Sequence, residues 1–479
     1  MPKVIGPNVI GPEANAIGPE ANAMGANGLF IFRRDFRITD NTGLNLLNAQ
    51  CKHVFTIFVF TPEQVTNANK FKSANAVQFM IESLADLAAE INKKGGKLYT
   101  FYGKNETIIE ACIKAFQIDV VGFNIDYSPY AIKRDHTIRT LCKDLGIPLL
   151  LEHDYYLHQP GTILTGGGLP YQKFTPYYQS AMKKPVALPA GIKKIKFSTR
   201  QTRLLHVINL KEALQKFVTE PNPDILVHGG RQNAVKMLHK PQKHYATTHN
   251  ELWKPTSQLS AYIKFGCLSI REVYHAYKHA PEFIRQLIWR DFYANILFSF
   301  PHVLGHAMKQ KYEHVHWHTN SAWFAKWCAG KTGFPVVDAG MRQLNTTGYM
   351  HNRARLIVAS FLVKTLLISW EKGEKYFAQQ LTDYDPASNN GNWQWIASTG
   401  ADSQPYFRIF NPTEQSKNFD PDCEYIKTWL PELDTLPSKA IHHWPDVWST
   451  YKEIKYPKPI CDYKTQKALA LKMYGQVFT

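Results

Sequence analysis

Several patterns are missing from this 479-residue chain. No run of about 18 apolar residues occurs, so no segment reads as a transmembrane helix, and the N-terminus lacks the basic-then-apolar order of a secretory leader. Cysteine is sparse: Cys51, Cys112, Cys142, Cys267, Cys328, Cys423 and Cys461 are odd in number and never spaced CxxC. That spacing argues against a disulfide framework and a structural zinc, and it predicts free thiols in a reducing compartment. No strand leads into the glycine run Gly166 to Gly168 and no GK[ST] follows it, so it reads as linker and not as a phosphate loop. Acidic residues are also short. Lys plus Arg number 56 against 39 for Asp plus Glu, a net charge of +17. This balance favours a polyanionic partner bound through phosphates with counterion release; the plainer alternative is a basic protein whose charge only keeps it soluble. The expectation is a soluble, intracellular protein with no membrane partner.

What is present divides the chain. Residues 1–27 carry the near repeat "VIGPNVIGPEANAIGPEANAMGANG", whose Gly-Pro pairs and lack of apolar periodicity suit a flexible tail. From residue 28 to 157, short apolar runs alternate with amphipathic ones. "LFIF", "HVFTIFVF", "KLYTFYG", "DVVGFNI" and "PLLLEH" read as strands buried on both faces. "AVQFMIESLADLAAEINKKGG" and "PYAIKRDHTIRTLCKDLG" read as helices closed by glycine. The alternation predicts an α/β domain with an open parallel five-stranded sheet and helices on both faces. Residues 158–238 form an irregular connector with the basic stretch "KKPVALPAGIKKIKFSTRQTR". Residues 239–479 lose the strand pattern; "EFIRQLIWRDFYANILFSF" and "MHNRARLIVASFLVKTLLISW" carry long helical periodicity and predict a large all-α domain. All eleven tryptophans fall from Trp253 onward. Trp393 and Trp395, two residues apart, point to roughly opposite sides in a helix or a strand.

"FRRDFRITDN" (32–41), "TSQLSAYIKFGCLS" (256–269), "LIWRDFY" (287–293), "MHNRARLIVASFL" (350–362), "NNGNWQW" (389–395) and "PYFRIFNPTEQSKNFDPDCEYIKTWLPEL" (405–433) occur in that order. Together they resemble the photolyase and cryptochrome flavoproteins, most closely the class I cyclobutane pyrimidine dimer (CPD) DNA photolyases. The resemblance implies FAD held in a bent shape by the helical domain without a GxGxxG turn. It also implies a monomer acting on UV-damaged DNA, in which light excites reduced anionic FAD (FADH−) and an electron passes to a flipped-out dimer and back.

By the same resemblance, Thr256, Ser257, Leu259 and Ser260 become FAD contacts, with Arg290 and Tyr245 as further candidates; the spacing from Tyr245 to Thr256 differs slightly from the family's. Read alone, "TSQLS" is a string of hydroxyls at a helix start, an anion site if the helix amides are free. Arg355 and Asp383 match the family's ion pair beside the flavin, and Asp385 a carboxylate at its pyrimidine edge. Asn389 stands where the family faces ring nitrogen N5 and where plant cryptochromes tend to have aspartate and animal ones cysteine. Without the resemblance, Arg355 and Asp383 would read as a surface pair worth under about 1 kcal/mol. Trp393, Trp370 and Trp317 match a three-indole electron chain from flavin to surface; each alone reads as a core aromatic.

Trp289 and Trp395 match the aromatic walls of the dimer pocket, and Asn352 and Arg353 its polar contacts, where (6-4) photolyases carry histidine and an apolar residue. Gln286 replaces the glutamate common in CPD enzymes: an amide still donates to a thymine carbonyl but supplies no proton. Leu356 replaces the usual methionine, a volume-conserving change. Tyr130-Ala131 stands where folate-binding members carry Asn-Glu, so a folate antenna is not expected, leaving a deazaflavin, another flavin or none. His314, His316 and His318 alternate without acidic or cysteine partners and read as solvated or DNA-facing, so no metal site is expected. A cryptochrome photoreceptor and a (6-4) photolyase are the competing readings. Only four residues follow the family-like end "YPKPICDYKTQKALALKMYG", which weighs against a signalling tail.

Overall fold

The structure is a computed structural model that describes residues 26–191, 193–201, 204–242 and 244–478. Residues 1–25 of the repeat-bearing tail lie outside them. Asn27, placed in that tail by sequence, already opens the first strand, and its backbone N–H donates to Asp119 at 2.8 Å.

Five strands form one sheet: β1 (Asn27–Phe32), β2 (His53–Phe60), β3 (Leu98–Tyr102), β4 (Val120–Asn124) and β5 (Leu149–Glu152). Their order is β3-β2-β1-β4-β5 and every pairing is parallel. Successive side chains alternate faces, and both faces are apolar. Leu29, Ile31, Phe55, Ile57 and Phe101 pack with Ile109, Cys112 and Ile113 of the Asn105–Phe116 helix and Ile138 and Cys142 of the Pro129–Asp144 helix. Phe30, Phe32, Phe58 and Phe60 point the other way, meeting edge to face in pairs. There the Thr42–Gln50 helix lies so close that a Cβ on Gly28 would fall 2.9 Å from Leu47 Cγ. Gly95 (φ +80°) and Gly146 (φ +68°) follow the Ala74–Lys93 and Pro129–Asp144 helices in the left-handed conformation that glycine tolerates.

The described residues fall into two compact units. One draws on the described residues of 26–221, Val227–Gln242 and Ser257–Pro301, so it holds the sheet, the "LIWRDFY" motif and all of "TSQLS" but its first residue; the other draws on the described residues of Asn222–Leu226, 244–256 and 302–478, Thr256 among them. In the first unit, the loop after β1 is pinned by buried charge. Arg37, 1% exposed, donates to Asp154 at 2.5 Å and to the Gly266 carbonyl at 3.1 Å. Arg271 reaches both Asp40 (2.9 Å) and Asp154 (2.8 Å). Gly266 (φ +63°) is obligatory there, since a Cβ would lie 2.3 Å from the Arg34 carbonyl oxygen.

The second unit is helical. Its core joins Trp327, Val358, Leu362, Trp370, Phe377, Trp393, Ile426 and Trp444. One expectation needs correction: the periodicity over 350–370 does not form one helix. The Asn352–Lys364 helix ends, Leu367 turns to φ +58°, Ile368 bridges to His318, and a new helix starts at Trp370. Among the described residues, no helix is long and apolar enough to cross a membrane.

Candidate functional site

In the helical unit the "NNGNWQW" string lies on the Pro386–Ile396 helix. Pro386 suits the first turn, and Asp385 caps it by accepting from the Ser388 N–H at 3.1 Å. Three amides then lock the helix in place. Asn389 Nδ2 donates to the Glu374 carbonyl at 2.9 Å. Asn390 Nδ2 donates to the Val303 carbonyl (2.9 Å) and to Glu374 Oε1 (3.0 Å). Gln394 Nε2 donates to the carbonyls of Val303 and His306, each at 3.0 Å. Burial raises the pKa of the Glu374 carboxyl to about 7, against the lowering effect of the Asn390 hydrogen bond.

The two indoles of the string part company as their spacing predicts. Trp393 is buried, edge to face with Phe377 (4.9 Å) and with Trp327 (6.2 Å), an indole that sequence reading did not single out. Its seat depends on Gly373: a Cβ there would fall 2.1 Å from Trp393 Cη2. Trp395 is only half-buried. Trp370 is buried in the same cluster as Trp393, and Trp317 packs against that cluster, partly exposed and perpendicular to Tyr474 at 5.9 Å.

Arg355 and Asp383 form a two-pronged pair at 3.2 and 2.9 Å, with Arg355 Nε also donating to the Met350 carbonyl at 2.9 Å. The Asp383 side chain is 6% exposed and that of Arg355 25%, so this is not the solvent-exposed pair of the plain reading. Burial works to lower the Arg355 pKa, but the Asp383 charge and hydrogen bonds outweigh it and the guanidinium titrates above its ordinary range. Thr256 Oγ1 shares a 3.1 Å hydrogen bond with Tyr349 OH, and Tyr245 stacks on His249 at 5.0 Å. His351 caps the Asn352–Lys364 helix through Nδ1, accepting from the Arg353 N–H at 3.1 Å. Burial, with the charges of Arg353 and Arg355, lowers its pKa to about 4, so it is neutral at pH 7 and its Nε2 lacks a partner. Asn352 is exposed on the first turn of that helix; Arg353 donates to Asn250 Oδ1 at 2.7 Å and lies over Phe419 at 4.3 Å; half-buried Leu356 follows one turn later.

In the first unit, Ser257–Ser260 of the "TSQLS" motif lead into a single helical turn. The helix it opens is only Ser260–Lys264, its N-cap is the buried Leu259, and none of the hydroxyls caps it. Ser257 is half-buried and Ser260 exposed, so they remain side-chain donors on a short turn entered through Gln258 at φ +54°. The Pro281–Ser299 helix carries the other residues. Gln286 is exposed and reaches only its own helix, the Glu282 carbonyl at 3.4 Å. Trp289 stacks on Phe174. Arg290 donates from Nη1 to the Tyr155 carbonyl at 2.6 Å and lies 4.3 Å over Tyr156, while its buried Nη2 has no protein partner. Tyr130, on the first turn of the Pro129–Asp144 helix, is exposed and shares a 3.0 Å hydrogen bond with Thr61, whereas Ala131 is buried. His314, His316 and His318 are all exposed, and no group of three metal-ligating side chains gathers among the described residues.

Within the helical unit, a fixed cation with its carboxylate, an amide whose N–H₂ is already committed and an orphaned donor at His351 Nε2 are groups of the kind a flavin dinucleotide binds. The comparisons agree with that chemistry. Residues 29–193 match the family model of DNA photolyase and residues 283–476 that of the FAD binding domain of DNA photolyase. The deoxyribodipyrimidine photo-lyase of Halobacterium salinarum is 34% identical, with 93% of this chain and 98% of the relative covered. A crystal structure of an archaeal photolyase from Sulfolobus tokodaii with two FAD molecules superposes with TM-score 0.85 at 38% identity, over 94% of this chain and 100% of that one. A Synechocystis cryptochrome superposes equally well, TM-score 0.85, at 25% identity over 94% of this chain and 99% of its own. The chain belongs to the DNA photolyase family of FAD-binding DNA-repair enzymes.

Proposed function

We propose that this chain splits cyclobutane pyrimidine dimers in DNA under light, as a monomer. The observation that carries the choice of lesion is the first turn of the Asn352–Lys364 helix, where an exposed Asn352 and a braced Arg353 stand at the positions that distinguish CPD from (6-4) enzymes. Bound FAD, reduced and anionic, supplies light absorption and an electron that is finally returned, so the reaction has no net redox change.

The protein's part is to hold and to position. Arg355, kept charged by Asp383, supplies fixed positive potential for an anionic ring. Asn389 has its N–H₂ tied to the Glu374 carbonyl, which leaves its oxygen as the end that accepts from a ring N–H. Thr256, Ser257, Ser260, Arg290 and Tyr245 serve as donors toward the remainder of the cofactor, Leu259 as an apolar contact, and Asp385 as the acceptor at the pyrimidine edge. Trp393, Trp370 and Trp317 form the path that reduces the flavin. Trp289 and Trp395, each half-buried in its own unit, are the aromatic surfaces for the extruded dimer, with Gln286, Asn352, Arg353 and Leu356 as its other contacts.

The second chromophore is read as another flavin, because a relative described with two FAD molecules is 38% identical and Tyr130-Ala131 lacks the folate-type residues. Illuminating the reduced holoprotein with CPD-containing and (6-4)-containing oligonucleotides tests the whole reading: restored thymines are expected from the first alone. Repair of neither lesion would favour a cryptochrome photoreceptor, which the Synechocystis likeness keeps as the second reading. Trp393→Phe should slow photoreduction while sparing repair by chemically reduced enzyme, and Trp395→Ala should weaken dimer binding; one shared defect would refute the division of roles.

A further inference from the structure

Phe174, on the Phe174–Ala181 helix, lies face to face with Trp289: their ring centroids are 3.6 Å apart and their planes 4° from parallel. Phe292 closes edge-on against both, 5.8 Å from Phe174 and 5.6 Å from Trp289, and Tyr293 lies 5.4 Å from the same indole. The Arg285 guanidinium sits 5.3 Å from the Phe174 ring and 5.3 Å from that of Tyr178. Aromatic pairs ordinarily offset their rings. Here the overlap is close to complete, so Phe174 shuts off one face of the indole; Tyr293, 29° from parallel, is its other near-parallel neighbour, and only the part of Trp289 that stays exposed can meet a ligand. Phe174 is 1% exposed, whereas Trp289 stays half-buried.

We propose that Phe174 is a positioning residue for lesion recognition: it clamps the Trp289 indole in one orientation before DNA arrives. A wall fixed in advance does not lose rotamer freedom on binding, and that saving applies only to the ligand that stacks on it. The inference rests on reading Trp289 as a wall of the dimer pocket and adds a residue from the connector, 115 positions earlier in the chain, to that site.

The test measures the affinity of flavin-loaded protein for an oligonucleotide containing one thymine dimer and for the same undamaged sequence, and takes the ratio. Phe174→Leu keeps apolar volume but removes the stacking ring; it should lower the ratio by about three- to tenfold, through the dimer arm alone. Phe174→Tyr should restore it. Trp289→Ala should also lower the ratio, and Phe174→Leu added to it should change nothing further. An unchanged ratio for Phe174→Leu beside a lowered one for Trp289→Ala overturns the proposal, as does a double variant whose losses simply multiply. A parallel fall in affinity for undamaged DNA also overturns it, since general loosening would explain that result. If Trp289→Ala leaves the ratio unchanged, it is the pocket assignment of Trp289 that fails, and the proposal falls with it.

Discussion

A methyl group added at Gly373 would stand 2.1 Å from Trp393 Cη2, 2.5 Å from Trp393 Cζ3 and 2.7 Å from Leu362 Cδ2. Gly373 lies in the middle of the Trp370–Gln380 helix, where alanine is normally better than glycine by up to about 1 kcal/mol. Ordinary contact begins at 3.4 Å, so the indole edge would have to retreat by about 1.3 Å. Phe377 and Trp327, both edge-on to that indole, stand in the way. Overfilling a packed core costs about 1–3 kcal/mol, and a rigid ring edge places this case near the top of that range. Gly373→Ala should therefore be destabilising by about 1–2 kcal/mol net, against its helix propensity. Gly475→Ala is the control, because nothing lies within 4 Å of that position. Combining Gly373→Ala with Trp393→Phe removes the ring that carries Cη2 and Cζ3, so the double variant should be less destabilised than the sum of the singles. Unfolding midpoints by circular dichroism measure the stability, and bleaching of oxidised flavin under blue light reports the seat of Trp393. A Gly373→Ala protein as stable as its parent, or strictly additive costs, would refute the reasoning.

Two further predictions concern buried polar groups. Asn389→Asp exchanges a donor to the Glu374 carbonyl for a carboxylate facing it, inside the core and beside the place assigned to an anionic cofactor; reduced flavin should reoxidise faster in air, and an unchanged half-time would count against that assignment. Asp291 is buried and accepts from the backbone N–H groups of His158 (2.9 Å) and Leu157 (3.4 Å), and burial raises its pKa to about 7 despite Arg290 and those bonds. Between the unfolded value near ~3.9 and the folded value, the native state holds a proton that the unfolded chain has released. Its contribution to stability is therefore present in acid and lost as pH rises to about 7. Asp291→Asn keeps one oxygen for the His158 N–H and turns its N–H₂ toward the Leu157 N–H, the longer bond, so it removes the titration and should flatten that slope while losing the Leu157 bond at every pH. Unfolding of both proteins at pH 5 and pH 8 gives the comparison, with His158, whose burial-lowered pKa works in the opposite direction, common to both. Equal slopes would refute it.

The sheet was legible because each strand is apolar on both faces and the two longest helices between strands end near a glycine with positive φ, Gly95 and Gly146. The opposed Trp393 and Trp395 were legible from their two-residue spacing alone, whereas the Asp385 cap was not read from the sequence. The break after Lys364 was not, since Leu366, Leu367 and Ile368 continue the apolar pattern while the turn itself is set by a bridge to His318. The length of the helix after "TSQLS" was not legible either: its hydroxyls stand at a helix start, but the helix is a single turn whose N-cap is Leu259. Phe174, Trp327 and Gly373 were missed because their roles lie in contacts with residues far along the chain, and no local periodicity marks them.

The buried charges around Arg37 also constrain the order in which the protein is made. Asp40 and Asp154 lie ahead of residue 155, but Arg271, which binds both, belongs to Ser257–Pro301. On a ribosome adding about 5–20 residues per second, roughly 7–30 s separate the end of β5 from the completion of that segment. Throughout that interval the sheet lacks its second arginine, and Asp40 keeps only its backbone-carbonyl contact with Arg37. A fragment cut at the apparent domain boundary would keep that deficit permanently. The α/β part of this protein is thus completed by a residue made more than a hundred positions after its last strand, and its buried charges are balanced only once Arg271 is in place.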